Sequence, residues 1–379
     1  MKICFCIGSY PFFEDEIGNI FVKNLVHALT DIGVECTVVS PQSITNVFFR
    51  RNKQHPVEWI DKTIKGNEIR VLQPYYTSFS NVKIRGNSVS ALVRLAVVRK
   101  AFKKYKIEAD CMYGHFWGEG ITASIVGKEN GIPSVVACGE SEIWVDKQFD
   151  DSFIERALEN IRGVISVSSK NVGTCETKGL LKNNPEVIVL PNCVDSTKFY
   201  KKDKLKARSE KNIPPDVTIA AFVGAFSDRK GVERVIKASR EVDGLKLILI
   251  GEGKSIKPAD NILFCGLVPN SEIVDYLNAA DFFVLPTLAE GCCNAIIEAM
   301  ACGLPIISSN YSFNDDVLNE INSIRIDPLD IKEISEAMQL LMSNTELRDE
   351  LSHNALKDSR ELVIEKRAER IVRFICALL

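Results

Sequence analysis

At 379 residues, with 46% hydrophobic and 26% charged content, the chain has the composition of a soluble globular protein of one or two domains. A net charge of −3 excludes a strongly basic nucleic-acid binder and an acidic-tail protein. The 12 cysteines lack zinc spacing with a matching second pair, so they read as free thiols in a reducing compartment.

The opening run from Lys2 is too short for a signal peptide and is interrupted by Pro11, and no window approaches the about 18 apolar residues of a membrane span. The expected location is the cytoplasm, with the inner face of the cell membrane as an additional station. Lys2 to Ile7 reads as a strand, Phe21, Val22, Leu25, Val26 and Leu29 as one helix face, and Val34 to Val39 as the next strand. This βαβ opening has a long first loop, Gly8 to Gly18, without the Gly-x-Gly-x-x-Gly spacing of a dinucleotide site, which argues against a dehydrogenase.

From Val82 to Lys106 the chain carries Lys83, Arg85, Arg94, Arg99, Lys100, Lys103, Lys104 and Lys106 without an acid, around an apolar stripe of Leu92, Leu95, Ala96, Val98 and Phe102. A solvated surface helix packing that stripe on the core is the commoner use of such a pattern. A helix lying on anionic lipid is the alternative. Cys111 to Tyr113, Ser134 to Ala137, Val164 to Val167 and Val187 to Leu190 are further strands, and Gly139-Glu140-Ser141-Glu142 closes the second of them. Lys198 to Pro215 has a linker composition and is the expected domain boundary.

Beyond it the alternation restarts with strands at Thr218 to Val223, Leu245 to Ile250, Ile262 to Cys265, Phe282 to Leu285 and Pro305 to Ser308. Glycines gather where these strands end, at the ligand-binding edge of a parallel sheet. The most informative stretch follows Phe282 to Leu285. Asn294 is a good helix cap, Ala295 to Cys302 a good helix, and Gly303 with Pro305 a good stop. Glu290 and Gly291 then lie in a strand-to-helix loop and Glu298 one turn into the helix. Two acids beside a helix N-terminus suit a ligand with many hydroxyls and a phosphate, such as a sugar nucleotide.

The ordered set of motifs resembles the retaining glycosyltransferases of family 4, also called group 1. Val-Leu-Pro-Asn192-Cys-Val-Asp195 is similar to the family's Pro-Asn-Gly-Val-Asp, and Val-Gly224-Ala-Phe-Ser-Asp-Arg229-Lys230-Gly231 to its phosphate-binding loop. Gly251-Glu-Gly253, Asn278-Ala-Ala-Asp281 and the Glu290 to Glu298 spacing complete the second half. Ile17-Gly18-Asn-Ile-Phe21-Val22-Lys23 and Asp110-Cys-Met-Tyr-Gly-His115-Phe116 supply the first. The resemblance implies the GT-B fold: α/β, two doubly wound Rossmann-like domains facing across a cleft. An acceptor-side domain would span 1–197, with 361–379 crossing back, and a donor-binding domain 198–360.

The roles follow from that resemblance. Glu290 would bind the donor sugar's hydroxyls and favour positive character at the anomeric carbon; otherwise it is a loop acid at a helix dipole. Glu298 would bind the ribose hydroxyls, as acidic residues do in dinucleotide sites; otherwise it is an exposed helix Glu, although a lone carboxylate in an apolar helix needs a partner. Lys230 would neutralise the diphosphate. Many relatives carry Arg where this chain has Ala225, and Arg229 is the candidate replacement, although adjacent residues in regular structure point different ways. His115 would touch the donor sugar, its surroundings suggesting a strand-end loop rather than a core. Gly18 and Asn19 would offer amides to phosphate. Gly224, Gly291, Cys292, Cys293 and Asn294 line the donor site, and Glu140, Ser141 and Glu142 the acceptor side.

No Asp-x-Asp occurs, so the expected transfer uses no metal and no cofactor. The expected partners are a UDP-, GDP- or other nucleotide-sugar donor, a glycan or lipid-linked glycan acceptor, and an anionic membrane surface, with no nucleic acid. The expected product is a bacterial-type surface polysaccharide or glycolipid. A sugar-nucleotide epimerase of the same fold, separable by acceptor-free turnover, and a non-catalytic sugar-nucleotide-binding protein are the alternatives.

Overall fold

The short apolar runs become parallel strands because buried on both faces they need no polar alternation. The computed structural model describes residues 1–13, 18–49 and 53–379, and the chain divides into two units. The first is Met1–Leu190 with Ile364–Leu379, and the second is Pro191–Val363. Asn192, Cys193 and Asp195 therefore count with the second unit. Ile17, part of the motif before the first helix, lies outside the described residues.

In the first unit the main sheet comprises β1 (Lys2–Cys6), β2 (Glu35–Val39), β3 (Glu58–Lys62), β4 (Glu68–Leu72), β5 (Cys111–His115), β6 (Ser134–Cys138), β7 (Ile161–Ser166) and β8 (Glu186–Val189). Their spatial order is β8-β7-β6-β5-β1-β2-β4-β3. Only β3 runs antiparallel among these described strands, pairing Glu58 with Leu72 and Lys62 with Glu68. The order reverses between β5 and β1, whose register pairs Cys6 with Gly114. Gly114 has no room for a side chain, since a Cβ there would lie 2.3 Å from Gly120 Cα. That close approach seats the Trp117–Glu129 helix directly on the end of β5.

The second unit holds β9 (Ile219–Val223), β10 (Lys246–Ile250), β11 (Ile262–Gly266), β12 (Phe282–Leu285), β13 (Ile306–Ser309) and β14 (Ser323–Ile326). Its spatial order, β11-β10-β9-β12-β13-β14, is the 3-2-1-4-5-6 arrangement of a doubly wound sheet. All its neighbouring strands pair in parallel. The switch point lies between β9 and β12, where Ala220 pairs with Phe282.

Several local readings are corrected. The charged stretch Lys198 to Pro215 is not a plain linker but contains a helix, Lys204–Glu210, started by the Asp203 carboxylate accepting from the Lys206 amide. Its Arg208 is buried, donating to Asp281 Oδ2 at 2.8 Å and to the Ala279 carbonyl at 2.9 Å. That explains the Asn278-to-Asp281 motif: Asp281 also accepts from the Ile219 amide at the start of β9. The basic stretch is a short hairpin, Lys83–Ile84 with Asn87–Ser88, followed by the helix Val89–Lys104. Leu95, Val98 and Phe102 are buried, while Arg94 pairs with Glu119 and Arg99 chelates Glu129. Those contacts favour the core-packing reading of this helix. Among the described residues, no helix is long and apolar enough to cross a membrane.

The Ile364–Leu378 helix packs Ala368, Ile371 and Ile375, all at 0% exposure, into the core built on Ile3, Phe5, Val22 and Leu29. Its buried Arg367 donates to the Leu190 carbonyl. Replacing Ile371 by Ala should therefore cost about 3 kcal/mol, the middle of the range for large-to-small core changes. Urea unfolding followed by circular dichroism checks this, and a midpoint equal to the parent's would refute it.

Candidate active site

The second unit assembles its polar residues at the switch point between β9 and β12. After β9 the chain turns through Gly224 to Gly231 and enters the Val232–Ser239 helix. Gly231 has φ +83°, and a Cβ there would lie 2.6 Å from the Pro286 carbonyl. The loop can thus press against the end of β12 only with glycine at this position. Arg234, 8% exposed, fixes the same contact by donating to the carbonyls of Asp228 (2.7 Å) and Pro286 (3.0 Å) and to the Asp228 carboxylate. The Leu288 amide donates to the Arg229 carbonyl. Lys230 is thereby brought onto the loop that carries Glu290.

Glu290 is 8% exposed and its Oε1 is the centre of the cluster. It lies 2.7 Å from Lys230 Nζ and 3.0 Å from Arg229 Nη1, and accepts from Thr287 Oγ1 at 2.8 Å. Arg229 Nη1 also donates to the Ala289 carbonyl at 2.6 Å. The expectation that adjacent Arg229 and Lys230 point apart is overturned. It assumed regular structure, whereas both sit in a turn where successive side chains converge. Ala225 is exposed and contributes nothing to the cluster.

Burial alone would lower the Lys230 ammonium, but neighbouring Cys293 and Glu290 outweigh it and hold the pKa above the ordinary lysine value. Burial pushes the Cys293 thiol up as well. The Cys293 sulfur stands 3.8 Å from Lys230 Nζ. Cys292 is buried, its sulfur accepting from the Asn192 amide at 3.3 Å while its carbonyl takes the Asn192 side chain at 3.0 Å. Gly291 is likewise buried between these groups.

The helix cap is corrected by one residue. The helix is Asn294–Ala301, with Cys293 as its extended N-cap and Asn294 its first residue. The Asn294 Oδ1 is buried without a hydrogen-bond partner among the described residues. Glu298, one turn on, is pushed up to about 7 by burial.

In the first unit, His115 closes β5 and is not in a loop. It is 7% exposed, among the rings of Phe21 (5.4 Å), Phe116 (4.4 Å) and Tyr113 (6.4 Å). Both ring nitrogens are buried without a hydrogen-bond partner among the described residues. Burial, helped by the positive charge of Arg367, brings its pKa down to about 3, so the imidazole is neutral. Phe116 follows with φ +73°, a conformation rarely adopted by L side chains and a local strain at the helix start. Asn19 caps the Ile20–Asp31 helix in the left-handed region, its side chain donating to Ser9, and Gly18 before it is exposed. Phe21 of that helix links this segment to His115.

The expected acceptor-side acids are otherwise engaged. Glu140 Oε1 accepts from the Trp117 amide at 2.6 Å and Oε2 from the Gly139 amide at 3.0 Å, which makes it a helix-start acceptor. Burial still pushes it up to about 7 against those hydrogen bonds. Glu142 accepts from Trp144 at 2.6 Å, and the Ser141 carbonyl from Lys170. Thr287 and Arg234, which set the geometry of Glu290 and Lys230, carried no signal in the sequence beyond their proximity to motif residues. Among the described residues, no three His, Cys, Asp or Glu side chains are grouped so as to hold a metal ion.

Residues 203–358 match the family model for glycosyl transferases group 1. The putative teichuronic acid biosynthesis glycosyltransferase TuaC of Bacillus subtilis is 24% identical over 357 residues, covering 89% of this chain and 88% of that protein. The capsular polysaccharide biosynthesis glycosyltransferase CapM of Staphylococcus aureus is 26% identical over 212 residues, 51% of this chain and 56% of that protein. Among solved structures, the sucrose-phosphate synthase of Thermosynechococcus elongatus superposes with a TM-score of 0.77 at 19% identity, covering 100% of this chain and 99% of that one. Anabaena HepE in complex with UDP superposes with a TM-score of 0.71 at 14% identity, covering 100% of both chains. The chain is a glycosyltransferase with the GT-B fold, and it is residues 203–358, which hold the Lys230–Glu290 cluster, that match the group 1 family.

Proposed function

We propose that this glycosyltransferase moves a hexose from a nucleotide-sugar donor to an acceptor hydroxyl, with retention at the anomeric carbon and without a metal. The observation that carries the reading is the convergence of Lys230, Arg229 and Thr287 on Glu290 Oε1 at the strand-order reversal. Lys230 and Arg229 neutralise the diphosphate leaving group, so that fixed cations do what a bound Mg²⁺ does elsewhere. A diphosphate that draws both cations toward itself leaves Glu290 held by Thr287 and open to the sugar's hydroxyls. Its charge then favours the positive character growing at the anomeric carbon.

Glu298 accepts hydrogen bonds from the ribose. With Glu290 on the sugar and Glu298 on the ribose, neither is left as a nucleophile, and attack on the leaving group's own face follows. His115, neutral and with both nitrogens unpaired among the described residues, serves as a hydrogen-bonding group for the donor sugar. Gly18 and Asn19 supply amides for phosphate at the start of the Ile20–Asp31 helix.

The names of TuaC and CapM support a surface polysaccharide or glycolipid as product. HepE, whose structures are with UDP and with UDP-glucose, makes UDP-sugars the first donors to try. A cytoplasmic enzyme meeting a lipid-linked acceptor on an anionic membrane face fits the exposed Lys100, Lys103 and Lys104.

Lys230→Ala and Glu290→Gln should each lower kcat by about 10²–10³-fold, the usual loss on removing one preorganised charge-stabilising group. Transfer assays with labelled donor check this, and near-parental kcat in both would refute the mechanism. Activity should be unchanged by EDTA in metal-free buffer, and loss restored by Mg²⁺ would refute metal independence.

Glu298 makes a separate prediction. Its pKa stands at about 7 in the fold against an ordinary 4.5. Between those values the folded protein holds a proton that the unfolded chain has lost, so stability falls as pH rises through this window. The loss is on the order of 3 kcal/mol and is complete above pH 7. Glu298→Gln should therefore raise Tm at pH 8, with the gain shrinking toward pH 5, and should weaken donor-nucleotide binding. Thermal melts at both pH values test the first part, and titration calorimetry tests the second. Equal Tm values at pH 8 would contradict the burial argument.

A further inference from the structure

Beyond Leu285, the last residue of β12, the chain leaves the sheet on its way to Glu290, and its carbonyls lose the strand ladder that would pair them. Side chains take the ladder's place. Ser308 Oγ, in β13, donates to the Leu285 carbonyl at 2.8 Å, and Ser309 Oγ, the next residue, donates to the Thr287 carbonyl at 2.5 Å. Arg234 holds the Pro286 carbonyl between them. Ser308, Ser309 and Thr287 are all 0% exposed. The rest of β13 is Ile306 and Ile307, so two fully buried hydroxyls at its end would be costly without hydrogen bonds. Each is satisfied by one carbonyl of the neighbouring segment.

Ser309 is itself fixed from behind. Its carbonyl accepts from Asn314 Nδ2 at 2.9 Å and from Arg325 Nε at 2.9 Å. Asn314 is 2% exposed and also reaches Ser308 Oγ at 3.3 Å. Arg325, in β14, further donates to the carbonyls of Leu318 (3.1 Å) and Tyr311 (3.0 Å). A continuous path therefore runs from β14 through Ser309 to the Thr287 backbone, and from Thr287 Oγ1 to Glu290 Oε1 at 2.8 Å. The Ser308 hydroxyl instead holds Leu285, which is still part of β12.

The hydrogen bonds and ion pairs that Glu290 makes among the described residues all fall on Oε1, from Lys230, Arg229 and Thr287. Thr287 is the neutral donor of the three, so a diphosphate that draws the cations away does not draw it. Oε2 is left to a ligand. We infer that Ser309 is a positioning residue for the transfer: through Thr287 it holds the Glu290 carboxylate with Oε1 turned to the protein and Oε2 to the donor sugar. This rests on the role proposed above for Glu290.

The test compares Ser308→Ala with Ser309→Ala on whichever of UDP-glucose, UDP-N-acetylglucosamine, GDP-mannose and ADP-glucose the parent turns over. Each variant removes one fully buried hydroxyl from β13 and one hydrogen bond to the β12 segment, so both should lower Tm alike. Ser309→Ala should also lower kcat by about 10- to 100-fold at unchanged donor KM, the cost of a slightly misplaced reacting group. Ser308→Ala should keep a kcat near the parent's. Ser309→Cys, of nearly the same shape with a weaker donor, should recover part of the loss. In a Glu290→Gln background Ser309→Ala should cost about twofold or less, because it acts through the group already removed. A Ser309→Ala kcat no lower than that of Ser308→Ala would overturn the inference alone, as would a loss that persists in full in Glu290→Gln. Near-parental kcat in Glu290→Gln, or no turnover of any of these donors by the parent, would overturn it together with the transfer mechanism.

Discussion

The second unit is organised by one electrostatic constraint: the nearly buried carboxylate of Glu290 cannot stand without compensating charge. An isolated ion taken from water into such a place costs several kcal/mol. Two cations and a hydroxyl converge on one oxygen to offset that cost, and the loop geometry follows from it. Gly231 lets the first loop touch the end of β12, Arg234 rivets it there, and Lys230 arrives at Glu290.

The first unit solves a similar problem in the opposite manner. His115 and Ser40 are buried polar side chains left without hydrogen-bond partners among the described residues, His115 held by ring packing. Burial drives His115 to its neutral form, which keeps both a donor and an acceptor nitrogen available over the whole physiological range. Phe116, strained at φ +73° beside it, is the cost of starting a helix immediately after the strand.

Much of this was legible from the residues alone, and the failures share a cause. Phe282–Leu285 ran as an unbroken apolar run and formed that strand, because a strand buried on both faces leaves no ambiguity of pattern. The Lys204–Glu210 helix was hidden by its charge: Arg208 is core, but its partner Asp281 lies 73 positions along the chain. Glu140 meets the start of the Trp117–Glu129 helix through a contact 23 residues back, which no local pattern announces. The expectation that Arg229 and Lys230 point apart came from a periodicity rule that holds in helices and strands and fails in a turn. Local pattern reports what a residue is beside in sequence; buried charge reports what it meets in space.

The chain path has a consequence for biosynthesis. Ile364–Leu378 completes the core built on Ile3, Phe5 and Val22, yet the whole of Pro191–Val363 separates it from Leu190. The second unit is continuous and has all its strands before that helix is translated. The first emerges from the ribosome earlier but lacks Ala368, Ile371 and Ile375 until the end, leaving an apolar face of its sheet uncovered meanwhile. Vectorial synthesis therefore lets the second unit complete its strands before the first has the Ile364–Leu378 helix to dock.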